Sequence, residues 1–157
     1  MSSMTAAQAF KVAMVEAMRE LTVEDDQVLV TFGYAGQDGL NYLDLVSFED
    51  VTSEQDPATL GTSRGREEIL TLQVVIECFR PGEADQEQVA SDAAYELLGR
   101  LERHVRVTDT TVGGTVRQCF LTSHRSSGET DPAALAALHG RLIAVEAVFT
   151  ARVRITG

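Results

Sequence analysis

The segment EILTLQVVIECF, residues 68–79, decides the fold because its hydrophobicity alternates with a period of two. Thr71, Gln73 and Glu77 fall on one side of an extended chain. The other side is apolar and consists of Leu70, Leu72, Val74, Ile76 and Cys78. Such alternation is typical of an antiparallel strand with one face on the core and the other toward solvent. A slip of one residue would reverse the two faces, so the register of this strand is well specified.

Upstream of this strand, two β-rich runs predict a hairpin. The runs QVLVTFGY (27–34) and LNYLDLVSFED (40–50) flank the short segment AGQDG (35–39). Asp38-Gly39 between two such runs is a strong signal for a tight hairpin turn. We therefore predict that these two strands are antiparallel neighbours.

A long polar stretch separates the predicted hairpin from the strand at 68–79. It reads VTSEQDPATLGTSRGREE (51–68) and contains Pro57, Gly61 and Gly65 but few apolar residues. Structureless connections longer than about 12–15 residues are uncommon inside compact domains. We predict a long flexible polar loop at about 51–67, with a role outside the fold of the isolated subunit.

Helical periodicity predicts two main helices, at about 5–21 and about 84–105. Thr5 with Gln8, and Asp85 with Gln88, have the spacing of capping boxes at their N-termini. The predicted buried stripes are Phe10, Met14, Met18 and Leu21 in the first helix, and Val89, Ala93, Leu97, Leu101 and His104 or Val105 in the second. Both helices would cover the apolar face of the sheet.

The C-terminal third predicts a strand at about 115–124, a short helix and a long final strand. For the short helix, Asp131 is the predicted N-cap, Pro132 occupies the first turn and Gly140 lies beyond the end. The final segment RLIAVEAVFTARVRIT (141–156) again alternates between apolar and mixed faces.

These elements predict an α+β fold of two layers. The sheet is mostly antiparallel with four to five strands, and two main helices pack on one face. The order is α-β-β-loop-β-α-β-(α)-β. The chain of 157 residues has the length of one domain, so we expect residues 1–157 to form a single domain.

Composition excludes some classes of function. The net charge of −11 and the lack of a basic stripe are not those of a conventional DNA-binding protein. Cys78 and Cys119 have no metal-ligand spacing, and we expect both thiols to be reduced and buried. No apolar run marks a signal peptide or a membrane span, so we expect synthesis in a cytoplasm-like compartment.

No catalytic, cofactor-binding or metal-binding motif is found, and we predict that the protein is not an enzyme. Cys119 and His124 lie close in sequence, but regular alternation would place them on opposite faces of a straight strand. The chemistry of a thiol nucleophile needs a base within hydrogen-bond reach. We therefore predict no catalytic residues and no cofactor.

The polar outer faces of the strands and the long polar stretch have no purpose within one subunit. An open sheet edge is a liability unless something pairs with it or blunts it. In a closed ring of identical subunits, each contact covers an edge of the next subunit. Ring assembly is therefore the interpretation that accounts for these features.

The whole pattern resembles the tail terminator, or tail-completion, family of long-tailed bacteriophages. The resemblance lies in the N-terminal helix AAQAFKVAMVEAMREL, the runs VLVTFGY and YLDLVSFED, the polar insertion at 51–67, the segment from ILTLQVVIECF to LERHV, and the closing GRLIAVEAVFTARVRI. It implies a hexameric ring in the virion, at the junction of tail and head. Such a ring caps the tail tube, ends its polymerisation and offers a surface to the head, while DNA passes through its bore without specific binding.

The partners implied by the resemblance are further copies of this chain, the tail-tube protein and a head–tail connector or neck protein. We predict that the interface with other subunits or with the tube includes Glu54, Asp56, Thr59, Arg64, Arg66, Arg152 and Arg154. Two alternatives stay open. One is another neck or tail-tube subunit. The other is a small-molecule-binding α+β domain with its cavity between the sheet and the helix at 84–105.

Overall fold

A computed structural model describes residues 4–57 and 65–156, which form a five-stranded sheet with the two long helices on one face. The elements are α1 (Ala7–Leu21), β1 (Val28–Thr31), β2 (Asp44–Pro57), β3 (Arg66–Pro81), α2 (Asp85–Arg103), β4 (Gln118–Gly128), α3 (Pro132–Leu138) and β5 (Gly140–Ile155). A 3₁₀ helix (Gly36–Asn41) precedes β2, and one π-helical turn (His104–Thr108) continues α2. The predicted α+β fold class is confirmed.

The spatial order of the strands is β1-β2-β3-β5-β4. The pairs β2–β3, β3–β5 and β5–β4 are antiparallel, whereas β1 is parallel to β2. β3 and β5 form the centre of the sheet and pair from Arg66 with Ile155 to Pro81 with Gly140. β4 begins and ends about three residues later than the sequence predicts.

The predicted hairpin between the first two strands is wrong. The chain between them crosses back over residues 32–43, because parallel neighbours need a connection of a dozen or more residues. Gly39 lies inside the 3₁₀ helix and is buried, and a Cβ there would be 3.0 Å from Leu45 Cδ1. This glycine therefore serves a close contact with β2 and not a hairpin turn.

The predicted loop at 51–67 is wrong at both of its ends. Residues 51–57 continue β2, and Arg66 and Glu67 begin β3. Their pairing extends to Pro57 opposite Arg66, and β3 is supported there by β5 as well. Polar side chains are compatible with a strand when both of its faces are exposed, so polarity alone did not indicate a loop. Residues 58–64 lie outside the described part of the chain.

The core lies between the sheet and the two long helices, as predicted. The alternating apolar residues of β3, from Leu70 to Cys78, and their neighbours on β5, including Val145 and Phe149, are fully buried. The stripe of α2 is rotated by about one residue from the prediction. Val89 is 43% exposed, whereas Ala90 and Ala94 are fully buried. These small residues allow α2 to approach the sheet closely.

The helix ends differ from the predicted capping boxes. The N-cap positions of α1 and α2 are Ala6 and Ala84, and neither has a side-chain cap. At α3 the prediction is confirmed, because the Asp131 carboxylate accepts a hydrogen bond of 3.1 Å from the Ala133 N–H. His139, with φ of +54°, ends this helix, and Gly140 is the first residue of β5.

Candidate functional site

The sheet has an unpaired strand edge on each side. β1 covers β2 only from Asp44 to Ser47. Within residues 4–57 and 65–156, no strand lies beside the rest of β2 on that side, and we call residues 48–57 the free segment. β4 forms the opposite edge and is exposed over residues 122–128. Both edges present backbone N–H and C=O groups that can pair with another chain.

Four of the predicted interface residues lie in two rows across the sheet, on the face away from α1 and α2, which we call the open face. The rows are Glu54–Ile69–Arg152 and Asp56–Glu67–Arg154. Residues that are directly opposite on antiparallel strands point to the same face. The two acids and the two arginines are exposed, so the structure brings these four side chains onto one accessible surface.

The other three predicted interface residues do not join this surface. Arg66 lies opposite Pro57 and Ile155, in phase with the core-facing residues of β3. Its Nη2 is 3.4 Å from the carbonyl oxygen of Met4, and its buried Nε has no hydrogen-bond partner among the described residues. Thr59 and Arg64 lie outside the described residues.

The two edges carry charge of opposite sign. The free segment has four acidic residues and no basic one: Glu49, Asp50, Glu54 and Asp56. β4 has Arg125 and His124 and no acidic residue. The Arg125 side chain is 75% exposed, and its 3.5 Å contact with Glu146 is long. The sequence prediction missed Arg125 because nothing in the sequence indicates that β4 is an edge strand.

Negative charge is also concentrated in the middle of the open face. Partial burial raises the pKa of Glu49, and the neighbouring charges of Asp50, Glu77 and Glu146 raise it further. These carboxylates come from β2, β3 and β5, so the pairing of the strands brings them together. This region of the surface would repel a polyanion.

Glu68 is a buried carboxylate that sequence reasoning did not single out. It is fully buried in the alternating apolar face of β3, and it binds the start of α1. The Ala6 N–H donates to Oε1 at 2.8 Å, and the hydroxyl groups of Thr5 and Ser53 and the amide of Gln55 donate to Oε2. Burial acts to raise the pKa of Glu68, but these hydrogen bonds outweigh it, and the pKa is lowered. The sequence does carry a signal for this site, because Glu68 is an acidic residue at a position where the alternation of β3 predicts an apolar, core-facing residue.

An apolar groove of about 450 Å³ opens on the open face, at the β1 end of the sheet. Its floor includes Leu45, Phe79 and Leu142, and its rim includes Tyr34 and Leu40, which are 87% and 86% exposed. The small-molecule alternative placed its cavity between the sheet and α2 instead. That space is filled by buried side chains of α2, including Leu97, Leu98 and Leu101.

Both cysteines are free and buried, as predicted. Burial raises the pKa of the Cys119 thiol to about 12, and burial together with the Asp44 carboxylate raises the pKa of Cys78. A bulge between Leu121 and Ser123 places His124 on the same face as Cys119, against the prediction. The His124 ring contacts the Tyr95 hydroxyl at 3.2 Å instead, and the Cys119 thiol stays protonated at neutral pH.

Nowhere in the described ranges do three or more His, Cys, Asp or Glu side chains come together as metal ligands would. Of the helices that the structure describes, none is long and apolar enough to cross a membrane.

Comparison with known proteins gives little more. No protein-family model and no curated protein matches the sequence. Among solved structures, the fold is similar to a chain of the "Virion of native gene transfer agent (GTA) particle", at 13% identity, over 99% of this chain and 100% of that chain. The TM-score is 0.44, which is too low for the likeness to carry an argument.

Proposed function

We propose that this protein is a structural virion protein that assembles into a ring on the end of a phage tail tube. The ring ends tail polymerisation and provides the surface to which the head is joined. The sequence resemblance to tail terminators supports this role and implies six subunits. DNA passes through the bore without specific binding.

The observation that carries the proposal is the pair of unpaired edges on opposite sides of the sheet. β2 and β4 run in opposite directions, because three antiparallel pairings separate them. The β4 edge of one subunit can therefore pair antiparallel with the β2 edge of the next, without turning any subunit over. Contacts of this head-to-tail kind close into rings when the rotation between neighbours is suitable.

The edge charges also favour head-to-tail contacts over symmetric ones. Two free segments paired with each other would bring four acids against four acids. Like charges directly opposite each other on paired strands are destabilising. An acidic edge and a basic edge attract, so the pairing of unlike edges is preferred.

The proposal is tested by mixing the purified protein with the tail-tube protein of the same particle during tube polymerisation. We expect shorter tubes in electron micrographs, with a ring at one end, and a tube length that decreases as more protein is added. If the protein is instead another neck or tail-tube subunit, a different result is expected, because a tube subunit would itself polymerise into tubes. A monomer that leaves tube length unchanged would contradict the proposal.

A second candidate function, the binding of a small molecule, is favoured only by the groove beside Leu45 and Phe79. Ser47 and Glu77 add polar groups to its lining. Ligand pockets are often mostly apolar with a few polar groups of this kind. A rise in melting temperature with one member of a metabolite library, abolished by Leu45→Glu, would favour this function over ring assembly.

A further inference from the structure

We propose that neighbouring subunits are joined by antiparallel pairing of β4 with the free segment of β2, in a register staggered by about four residues. This inference rests on the proposed ring, and it adds the contact that builds it. The occupant of each edge is a second copy of this chain.

The first step compares where the two edges lie along the strand direction within one subunit, a position that we call their height. Phe48 pairs with Val74, which pairs with Ala147, which pairs with His124. Asp44 is connected in the same way to Gly128. The last four residues of β4 are therefore level with residues 44–47 of β2, where β1 is already paired.

The second step is that β1 prevents two copies from pairing at equal height. At equal height, residues 125–128 of β4 would occupy the place beside β2 that the four residues of β1 occupy in the next subunit. The smallest displacement that avoids this clash is about four residues along the strand. Gly128 then lies beside Phe48 of the next subunit, and Phe120 lies opposite Asp56.

The third step is that the two edges match in length and in charge. β4 has 11 residues, and the free segment extends from Phe48 to the end of β2 at Pro57. Allowing for the bulge in each strand, Arg125 in the staggered register lies opposite Thr52, with Asp50 and Glu54 each two residues away on the free segment. The contact also covers Phe120, an aromatic side chain that is 45% exposed on the edge strand.

The fourth step is a check against the geometry of closed sheets. At this height each subunit contributes the strands β2, β3, β5 and β4. Strand spacings of about 4.8 Å give a width of about 19 Å, and a stagger of four residues is about 13 Å along the strand. The strands then tilt by about 35° from the ring axis, at the lower end of the 35–45° found when sheets close into barrels. The stagger that β1 imposes is thus one that allows the ring to close.

The register is tested with pairs of cysteines. Asp56→Cys with Phe120→Cys should form disulfides between subunits, because directly opposite residues have a Cα separation suited to a disulfide. Within one subunit the two positions are three strand spacings apart, about 14 Å, and are also four residues apart along the strand direction, so an internal disulfide cannot form. The control is Thr52→Cys with Phe120→Cys, which would be opposite only at equal height.

Both double variants are first shown to fold like the wild type and are then mildly oxidised. For D56C/F120C we expect a ladder of disulfide-linked multimers on non-reducing gels. The T52C/F120C control should show less than one tenth of that linkage. Equal or greater linkage in the control would overturn the staggered register. If light scattering detects multimers but D56C/F120C forms no disulfides, the proposed strand contact is wrong, whereas the proposed ring is not contradicted. A monomer that forms no linkage and does not cap tubes would overturn both.

Discussion

At the scale of single residues, Glu68 joins three parts of the molecule that are distant in sequence. Its carboxylate receives hydrogen bonds from the start of α1 and from Ser53 and Gln55 on the free segment. A negative charge at a helix N-terminus is favourable because the unpaired N–H groups and the helix dipole point toward it. Glu68 therefore shares the capping of α1 with Thr5, whose hydroxyl accepts a hydrogen bond of 3.1 Å from the Ala7 N–H, and it takes the role that the sequence assigned to Gln8.

Removing this carboxylate should destabilise the protein. Glu68→Ala leaves four partly buried hydrogen-bond donors, at Thr5, Ala6, Ser53 and Gln55, without this acceptor, and each donor that stays shielded from water costs about 1–3 kcal/mol. We expect the free energy of unfolding in urea to fall by at least about 2 kcal/mol. The control Glu67→Ala removes a partly exposed carboxylate that is 3.3 Å from Arg117, and it should cost less than about 1 kcal/mol. Equal losses in the two variants would contradict this role of Glu68.

The same residue predicts how stability depends on pH. Because the folded pKa of Glu68 is lowered, the folded state binds this proton less readily than the unfolded chain does. Its contribution is complete above the ordinary pKa of about 4.3 and is lost as the pH falls through the folded value. The stability difference between wild type and Glu68→Gln should therefore decrease from pH 5 to pH 3. A difference that is constant over this range would be against the prediction.

Two glycines should respond in opposite ways to alanine. At Gly140 a Cβ would lie 2.6 Å from the Arg80 carbonyl oxygen, so Gly140→Ala must displace backbone and should cost about 1–3 kcal/mol. At Gly99, in the interior of α2, a Cβ meets nothing within 4 Å. Gly99→Ala should stabilise by about 0.5–1 kcal/mol because alanine is the better helix former. Thermal unfolding of the two variants measures both effects, and stability changes of the same sign in both would contradict these expectations.

At the scale of the elements, α3 depends on its cap more than on burial. It has seven residues and no buried side chain, so little tertiary packing holds it. Helices this short are marginal without such packing. The bond from the Ala133 N–H to Asp131 is therefore a large part of what stabilises it.

Asp131→Ala should loosen α3 without unfolding the protein. Loss of an N-cap costs about 1 kcal/mol, so amide hydrogen exchange in residues 132–138 should become about five-fold faster. The global melting temperature should change little, because α3 contributes no side chain to the core. Thr130→Ala, beside the cap, is the matched control. A large drop in melting temperature would mean that α3 is part of the cooperative core.

At the scale of the whole molecule, assembly should depend on the opposite charges of the two edges. The variants Glu54→Lys/Asp56→Lys and Arg125→Glu should each weaken self-association, since each places like charges across the contact. A 1:1 mixture of these two variants should associate again, because every contact in an alternating ring joins unlike charges. Sedimentation or light scattering measures this, with Glu24→Lys and Arg103→Glu as charge controls away from the edges. Failure of the mixture to recover would contradict head-to-tail pairing of the two edges.

The strands and helices could be predicted where periodicity was long and regular. The alternation of β3 and β5 located the core face, and the N-cap of α3 was predicted at Asp131. The parallel position of β1 could not be predicted, because Asp38-Gly39 is compatible with a hairpin turn and with a 3₁₀ helix. The rotation of α2 depended on how closely Ala90 and Ala94 approach the sheet, which is a property of the packed state.

Of the candidate site, Glu54, Asp56, Arg152 and Arg154 were predicted as interface residues, and the structure places them on one exposed face. Their role in assembly stays a prediction. Arg66 lies on the other face, since a residue one position along a strand changes sides. Arg125 was missed because its position depends on which strand ends the sheet.

The sequence by itself determined the α+β class, the two-layer arrangement and the apolar face of the sheet, because these depend on periodicity that is local to each element. Only the tertiary structure decided that β1 covers four residues of β2, that the polar stretch lengthens β2 and β3, and that β2 and β4 are the open edges. Those features depend on pairing between segments that are far apart in the chain. The physical reason is that a strand's side-chain pattern specifies which face is buried, whereas its neighbours are chosen by backbone hydrogen bonds that every sequence can make.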